Sequence, residues 1–124
     1  MPVNPKIFVV DDDEFIHKLI QSILSRFSFT DINHYYSGEE CIDCLHKSPD
    51  IILLDIEMKG INGLETLDMI KTNYPKVPVY MISSQTEINT AINALKKGAE
   101  DFFSKDSNLS KNIEKIFSSS KLSV

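Results

Sequence analysis

The chain has 124 residues, a length that suits one domain with a substantial buried core. Its net charge of −5 argues against nucleic acid as a partner of this chain alone, because binding to phosphates requires a basic surface. It has neither an apolar run long enough to span a membrane nor a basic and apolar leader, so we expect a cytoplasmic protein without a membrane partner.

Strand and helix patterns alternate five times along the chain. The strand candidates are short apolar runs, whereas the helix candidates have apolar residues at three- and four-residue steps. This alternation predicts an α/β fold with a parallel sheet covered by helices on both faces. In chain order, the predicted elements are a strand at 7–10, a helix at 14–27, a strand at 32–36, a helix that opens after Ser37 and stops shortly before Asp50, a strand at 51–54, a helix at 63–73, a strand at 79–82, a helix at 87–97, a strand at 101–104 and a helix at 108–118.

The alternation has no linker, repeat or low-complexity insert, so residues 1–124 are expected to form a single domain. Its core should cover about 6–118. The last residues, 119–124, are rich in serine and are expected to fray.

Local patterns also predict how individual helices begin and where they lie. Ser37 with Glu40, and Asn62 with Glu65, have the spacing of capping boxes at the starts of the second and third helices. The fourth helix is predicted from apolar residues at three- and four-residue steps. These residues are Ile88, Ala91, Ile92 and Leu95.

The cysteines and histidines do not form a recognisable site. Cys41 and Cys44 have the C-x-x-C spacing of redox and zinc sites. They fall inside a predicted helix, however, and no second pair completes the four ligands of a structural zinc. We therefore expect two small buried hydrophobes. His17, His34 and His46 lack arranged partners, and surface or interface positions are sufficient to explain them.

Polar side chains follow the ends of the predicted strands. Asp11 and Asp12 follow the first strand, Asp55 ends the third, and Ser83 and Lys105 follow the fourth and fifth. Because the carboxyl ends of parallel strands share one edge of the sheet, these side chains should converge. Clustered carboxylates repel one another unless a cation lies between them, and Mg²⁺ prefers such oxygen ligands. With a lysine and a hydroxyl, the set suits phosphoryl transfer, in which a carboxylate can be the nucleophile.

This ordered set resembles that of response-regulator receiver domains, the phosphoacceptor modules of two-component signalling and phosphorelays. The resemblance implies a flavodoxin-like, doubly wound (βα)₅ fold with a five-stranded parallel sheet in the order 2-1-3-4-5. It also implies a signalling module rather than a turnover enzyme. Because no effector domain follows in this sequence, we expect a stand-alone receiver, with a receiver cut from a longer regulator as the alternative. The match covers about 7–117, and its motifs are Val-Asp-Asp at 10–12, Leu-Leu-Asp at 53–55 with Gly60 and Gly63 after it, Ser83 and Lys105.

The resemblance further implies a phosphoacceptor and a metal site. Asp55 matches the aspartate that takes the phosphoryl group from the phosphohistidine of a sensor histidine kinase or a histidine phosphotransfer protein. Asp11, Asp12, Asp55 and the backbone carbonyl of Glu57 match the positions that hold Mg²⁺ or Mn²⁺.

Three more positions match the family's switch. Ser83 and Lys105 correspond to the residues that bind the phosphoryl group, and Phe102 to an aromatic residue whose rotamer follows phosphorylation. Phosphorylation would then change the face formed by the fourth helix, the fifth strand and the fifth helix, which would bind an unidentified downstream protein. Phe102 can equally be an ordinary core residue.

The sequence departs from the family pattern beside the site. Asp106 stands where the family usually has a proline after a cis peptide bond. A cis bond before another residue costs about 2.5–4 kcal/mol, so we expect a trans bond between Lys105 and Asp106 and a partial capping role for Asp106. Lys59 also replaces a usual proline. Glu57 and Gln85 occupy the variable positions that influence the lifetime of the acyl phosphate in the family.

Two other functions remain open at this point. A receiver-like structural module that takes no phosphate is one of them, and the substitution at position 106 keeps it open. The other is a Mg²⁺-dependent phosphohydrolase that acts through an aspartyl phosphate. Such an enzyme generally needs a second acid/base carboxylate and a substrate-covering cap, for which this chain has no insertion.

Overall fold

The structure, a computed structural model, describes residues 2–84 and 87–122, with the backbone alone over 119–122. In this part of the chain, strands and helices alternate as the sequence predicts. The elements are β1 (Ile7–Val10), α1 (Glu14–Ser25), β2 (Ile32–Tyr35), α2 (Gly38–Asp43), a 3₁₀ turn (Leu45–Lys47), β3 (Ile51–Asp55), α3 (Gly63–Asn73), β4 (Val79–Ser83), α4 (Ile88–Lys96), β5 (Asp101–Ser104) and α5 (Leu109–Leu122). No helix within the described ranges combines the length and apolar character that a bilayer crossing requires.

The five strands form one sheet, in which every neighbouring pair is parallel. Their order is β2-β1-β3-β4-β5, which confirms the predicted doubly wound topology. The inner strands β1 and β3 are buried along their whole length, as expected of strands that helices cover on both faces. The central position of β3 puts Asp55 between the ends of β1 and β4.

The core consists of two apolar clusters, one on each face of the sheet. Successive residues of a strand point to opposite faces, so Ile7 and Val9 join one cluster while Phe8 and Val10 join the other. Helices α1 and α5 cover the first cluster, and α2, α3 and α4 cover the second. Full burial of each such side chain contributes roughly 1.5–3 kcal/mol, and this packing fixes the strand ends in place.

The predicted capping box at Asn62 is confirmed, and at Ser37 the serine half of the box forms. Asn62 accepts a hydrogen bond from the Glu65 N–H at 2.9 Å, and the Glu65 carboxylate accepts one from the Asn62 N–H at 3.0 Å. Ser37 Oγ accepts from the Glu40 N–H at 3.1 Å, while the Glu40 carboxylate accepts from the Tyr36 N–H. These bonds satisfy backbone donors that a helix start leaves unpaired.

Two helix ends differ from expectation. After α2 the chain tightens into the 3₁₀ turn and stops at Ser48, whose φ of 59° lies in the left-handed region. At the other end of the chain, α5 continues past the predicted end at 118 to Leu122. Serine disfavours a helix by only about 0.5 kcal/mol per residue, too little to end one that packing has already anchored. The last two residues of the expected frayed tail lie outside the described residues.

The isoleucines and the leucine whose spacing predicts α4 lie on the outer side of that helix. Ala94 is the fully buried residue of this helix, whereas Ile88, Ile92 and Leu95 are 73%, 42% and 47% exposed. The small side chain of Ala94 lets the helix lie close to the sheet, and residues 88, 92 and 95 then share the outer side. We call these three residues the α4 apolar face.

Candidate functional site

Three carboxylates meet at the carboxyl edge of the sheet. Asp11 and Asp12 follow β1, and Asp55 is the last residue of β3. One oxygen from each lies within 4.8 Å of the others. Asp11 and Asp55 are buried, whereas Asp12 is exposed to solvent. The structure thus brings together the three predicted metal-binding side chains, and their hard oxygen donors fit Mg²⁺.

Lys105 inserts its ammonium between the two buried carboxylates. Its Nζ lies 2.8 Å from Asp11 Oδ2 and 3.1 Å from Asp55 Oδ1. The lysine is itself largely buried, with 14% of its side chain exposed. Two carboxylates and one ammonium leave the buried group one negative charge in excess, which a further cation would offset.

The titration behaviour of the site follows from this crowding. Burial raises the pKa of Asp55 to about 7, and the Asp11 carboxylate adds to the rise, while Lys105 and the Glu57 N–H oppose it. Burial alone lowers the pKa of Lys105, but hydrogen bonds and charges from Asp11 and Asp55 outweigh it and hold that pKa above its ordinary value. The lysine therefore stays charged, and the Asp55 carboxylate is the group that needs more positive charge nearby.

The loop after Asp55 is held against the site by backbone hydrogen bonds. The Lys59 N–H donates to Asp12 Oδ2 at 3.3 Å, and the Ile61 N–H donates to Glu39 Oε2 at 3.2 Å. At its end, the Gly63 N–H donates to the Ile56 carbonyl at 2.7 Å. The loop thus has anchors on both the acidic cluster and α2.

The two glycines of this loop serve different physical needs. Gly60 has a φ of 80°, a left-handed conformation that side chains disfavour. Gly63 is required by close approach, because a Cβ there would collide with the carbonyl oxygen of Asp55. The Gly-x-x-Gly spacing therefore positions the acceptor strand directly.

Two further predicted site residues follow β3 or end the neighbouring strand β4. The Glu57 N–H bonds to the Asp55 carboxylate, and the Glu57 side chain accepts from Ser84 Oγ at 3.1 Å. Ser83 is fully buried at the end of β4, where its carbonyl accepts from the Lys105 N–H at 2.7 Å. The role of the Glu57 carbonyl as a metal ligand stays a prediction. Gln85 lies outside the described residues.

Phe102 is half-buried on the edge strand β5. It packs against the apolar cluster on the α2, α3 and α4 face, whereas Phe103 points to the other face and stacks on Tyr80 with ring centroids 5.9 Å apart. Phe102 therefore lies on the face of the sheet that α4 covers. Its switch role stays a prediction.

The corner after Lys105 adopts the predicted conformation. The peptide bond between Lys105 and Asp106 is trans. Asp106 Oδ1 accepts from the Asn108 N–H at 2.9 Å, and the Asp106 carbonyl accepts from the Leu109 N–H at 3.1 Å. The Asp106 side chain thus forms a turn just before α5, its capping role at the helix start stays a prediction, and Lys105 keeps its bonds to the acidic cluster.

Comparison with known families agrees with this geometry. The sequence model of one family, the response regulator receiver domain, matches residues 7–117 of this chain. This chain belongs to the response regulator receiver family. Receiver domains are signalling modules, and the match covers all five strands of the sheet.

Among curated relatives, this receiver domain is 38% identical over 104 residues to the nitrogen assimilation regulatory protein NtrX of Azorhizobium caulinodans. It is 39% identical over 106 residues to a protein-glutamate methylesterase/protein-glutamine glutaminase of Pyrococcus horikoshii. Each alignment covers 82% of this chain but only 23% and 28% of the relative. The chain thus spans about a quarter of the length of these curated relatives.

Solved structures of receiver domains superpose closely on this one. The receiver domain of NtrX from Brucella abortus has a TM-score of 0.81 at 31% identity, with 90% of this chain and 94% of that chain covered. The CheX–CheY–BeF₃–Mg²⁺ complex from Borrelia burgdorferi gives 0.81 at 28% identity, with 90% and 86% covered.

The expectation that the histidines lack arranged partners is wrong. His17 Nδ1 lies 2.7 Å from His34 Nδ1, and His17 Nε2 lies 2.7 Å from the carbonyl oxygen of Asp11. His46 Nδ1 contacts the Asp43 carbonyl at 3.0 Å. Spacing could not reveal the pair, because His17 lies on α1 and His34 on β2. The parallel register pairs His34 with Val9, whose side chain faces α1, so His34 lies on the same face of the sheet as His17.

The cysteines behave as predicted. Cys41 is fully buried in the core, Cys44 is half-buried, and both are free thiols. Burial raises the pKa of Cys41 to about 12, so its thiol stays protonated and unreactive.

Proposed function

We propose that this receiver domain accepts a phosphoryl group on Asp55 from the phosphohistidine of a sensor histidine kinase or a histidine phosphotransfer protein. The observation that carries the proposal is the position of the Asp55 carboxylate. It is buried, lies 3.1 Å from the Lys105 ammonium and shares the acidic cluster with Asp11 and Asp12. A nucleophile with a fixed cation beside it suits phosphoryl transfer.

The acidic cluster is the proposed Mg²⁺ site. Asp11, Asp12 and Asp55 would hold the ion with their carboxylates, and Glu57 with its backbone carbonyl. When bound, the ion would offset the charge of the carboxylates and of the phosphoryl oxygens. Magnesium in the CheY complex with BeF₃ supports this choice of metal for a receiver of the same fold.

In the transfer, an oxygen of ionised Asp55 forms a bond to phosphorus while the bond from phosphorus to the donor's imidazole nitrogen breaks. The electron pair of that bond stays with the imidazole, which leaves as a histidine ring. Lys105 pairs with an oxygen of the transferred group, and the Ser83 hydroxyl donates a hydrogen bond to another. The ammonium, already 3.1 Å from Asp55, needs little reorganisation to do so.

The output surface is the second part of the proposal. The α4 apolar face is exposed, while Phe102 packs on the face of the sheet beneath α4. A rearrangement of Ser83 and Phe102 on phosphorylation would move α4 and so change how the α4 apolar face binds a downstream protein.

Beryllofluoride with Mg²⁺ distinguishes this function from the alternatives. Amide NMR shifts that spread from Asp55 to Ser83 and Phe102, and that are lost in Asp55→Asn, are expected of a phosphoacceptor. Repeated turnover of small phosphate esters would favour a phosphohydrolase instead. An unchanged spectrum would leave a structural module.

A further inference from the structure

A second cluster of ligating side chains lies on the α1 side of the β2 edge. His17 on α1 is buried, with 2% exposed, and its Nδ1 faces His34 Nδ1 on β2 at 2.7 Å. The ring of Tyr36 covers His17 with centroids 4.1 Å apart.

The outer nitrogens of both rings are already occupied. His17 Nε2 lies 2.7 Å from the Asp11 carbonyl oxygen, and His34 Nε2 lies 2.8 Å from Gln21 Oε1. The Asp11 carbonyl only accepts hydrogen bonds, so His17 Nε2 carries the hydrogen and His17 Nδ1 keeps its lone pair. With the Gln21 oxygen toward His34, the His34 ring has the same tautomer. Histidines that bind metals are held in this way, with the free N–H on a carbonyl or carboxylate.

Two lone pairs that face each other at 2.7 Å repel unless a cation lies between them. In the metal-free protein, a shared proton or a reversed Gln21 amide that donates to His34 Nε2 relieves the repulsion. Burial and the neighbouring His17 lower the pKa of His34, which favours the neutral ring that binds metals. A cation of the right chemistry would use both lone pairs at once.

The pair opens onto a groove with room for more ligands. The groove has a volume of about 380 Å³, and His17, His34 and Glu14 line it. Glu14 lies on the same side of α1 as His17, and its carboxylate accepts from Tyr36 Oη at 2.6 Å. Water can enter from the groove and reach the two rings.

We propose that His17 and His34 bind a divalent transition metal such as Zn²⁺ through their Nδ1 atoms, with water from the groove completing the coordination. Zn²⁺ takes imidazole nitrogens at about 2.0–2.1 Å, so tetrahedral geometry places two of them about 3.3 Å apart. The rings reach this separation from 2.7 Å by a small rotation. Mg²⁺ prefers oxygen ligands, so the two sites should fill independently.

The test is a calorimetric titration of the full chain with Zn²⁺ in saturating Mg²⁺. His34→Gln should weaken Zn²⁺ binding at least tenfold, whereas His46→Gln and Cys44→Ser should leave it unchanged. Unaltered binding to folded His34→Gln would overturn the site. Competition by Mg²⁺ would also overturn it, because the zinc would then occupy the acidic cluster.

A measurement on the unmodified sequence removes any dependence on variant folding. With ¹⁵N-labelled histidine, Zn²⁺ should shift the Nδ1 resonances of His17 and His34 while both Nε2 atoms keep their hydrogens. Shifts confined to His46, or no ring shift when Zn²⁺ exceeds the protein, would contradict the proposal. Neither experiment depends on phosphorylation of Asp55.

Discussion

The surroundings of Asp55 disfavour the ionised form of its carboxylate. Burial and Asp11 raise its pKa to about 7 from an ordinary value of 3.8, although Lys105 lies 3.1 Å away. A nucleophile must be ionised, so the site works best when a further cation restores the charge. The same surroundings that hold the acceptor thus make it dependent on a metal.

This raised pKa predicts a pH-dependent stability. The folded state holds the Asp55 proton more tightly than the unfolded state, so its contribution is fully present below pH 3.8 and is lost as the pH rises through about 7. Without metal, Asp55→Asn should therefore raise the melting temperature at pH 8 by about 4 °C or more, and much less at pH 4. Parallel pH profiles of the two proteins would contradict this, and Mg²⁺ should narrow the difference.

Lys105 should contribute more than an ordinary ion pair. Lys105→Met leaves Asp11 and Asp55 buried without their ammonium, which should cost about 3 kcal/mol in the free energy of unfolding without metal. The matched control is Lys97→Met, because Lys97 pairs with Asp68 at 2.9 Å where both side chains are exposed. That pair should be worth less than about 1 kcal/mol. If denaturant unfolding gave equal losses in the free energy of unfolding for the two variants, the buried ion pairs would contribute no more than the exposed one.

Among the individual elements, the loop after β3 positions Asp55 through close contact between its backbone and that of the strand. Gly63→Ala should destabilise the fold by about 2 kcal/mol or more and weaken Mg²⁺ binding, because the new methyl group collides with the Asp55 carbonyl. Gly98→Ala is the control. It strains a left-handed residue with a φ of 106°, far from the site, and should cost about 1 kcal/mol with Mg²⁺ affinity unchanged. Unchanged Mg²⁺ affinity in folded Gly63→Ala would contradict this role.

The features that the sequence could predict were mainly those that depend on residues close to one another along the chain. Neighbouring residues alone define the apolar runs of β1 and β3 and the capping pair Asn62–Glu65, and the structure confirms all three. The convergence of Asp11 with Lys105 followed from parallel strands sharing one edge. The orientation of α4 did not follow, because its periodic isoleucines indicate an apolar side but not whether the core or another protein covers it.

The contact between the two histidines could not be predicted from the sequence for a related reason. His17 and His34 meet only because α1 packs beside β2, and each lies in an ordinary amphipathic or edge-strand pattern. Their hydrogen bonds to Asp11 and Gln21 depend on the same packing. Contacts of this kind are properties of tertiary structure and leave no spacing in the sequence.

In the whole molecule, the acceptor lies at the carboxyl edge of the sheet, whereas the α4 apolar face lies on the outer side of a helix that covers the sheet. Leu95 is 47% exposed, so Leu95→Gln should change the free energy of unfolding by less than about 0.5 kcal/mol. It should also keep the response of the amide NMR spectrum to beryllofluoride. Ile113→Ala, at a fully buried position, should cost at least about 2 kcal/mol. A similar loss in Leu95→Gln would mean that the α4 apolar face belongs to the core.

The most direct test of the phosphoacceptor is intact-mass spectrometry of the chain after incubation with phosphoramidate, a small donor with a phosphorus–nitrogen bond, in the presence of Mg²⁺. The unmodified sequence should gain the mass of one phosphoryl group. Asp55→Asn should gain none, and Asp12→Ala should gain it far more slowly because the metal site is incomplete. Equal labelling of Asp55→Asn, or no labelling of the unmodified sequence, would contradict the assignment of Asp55 as the acceptor.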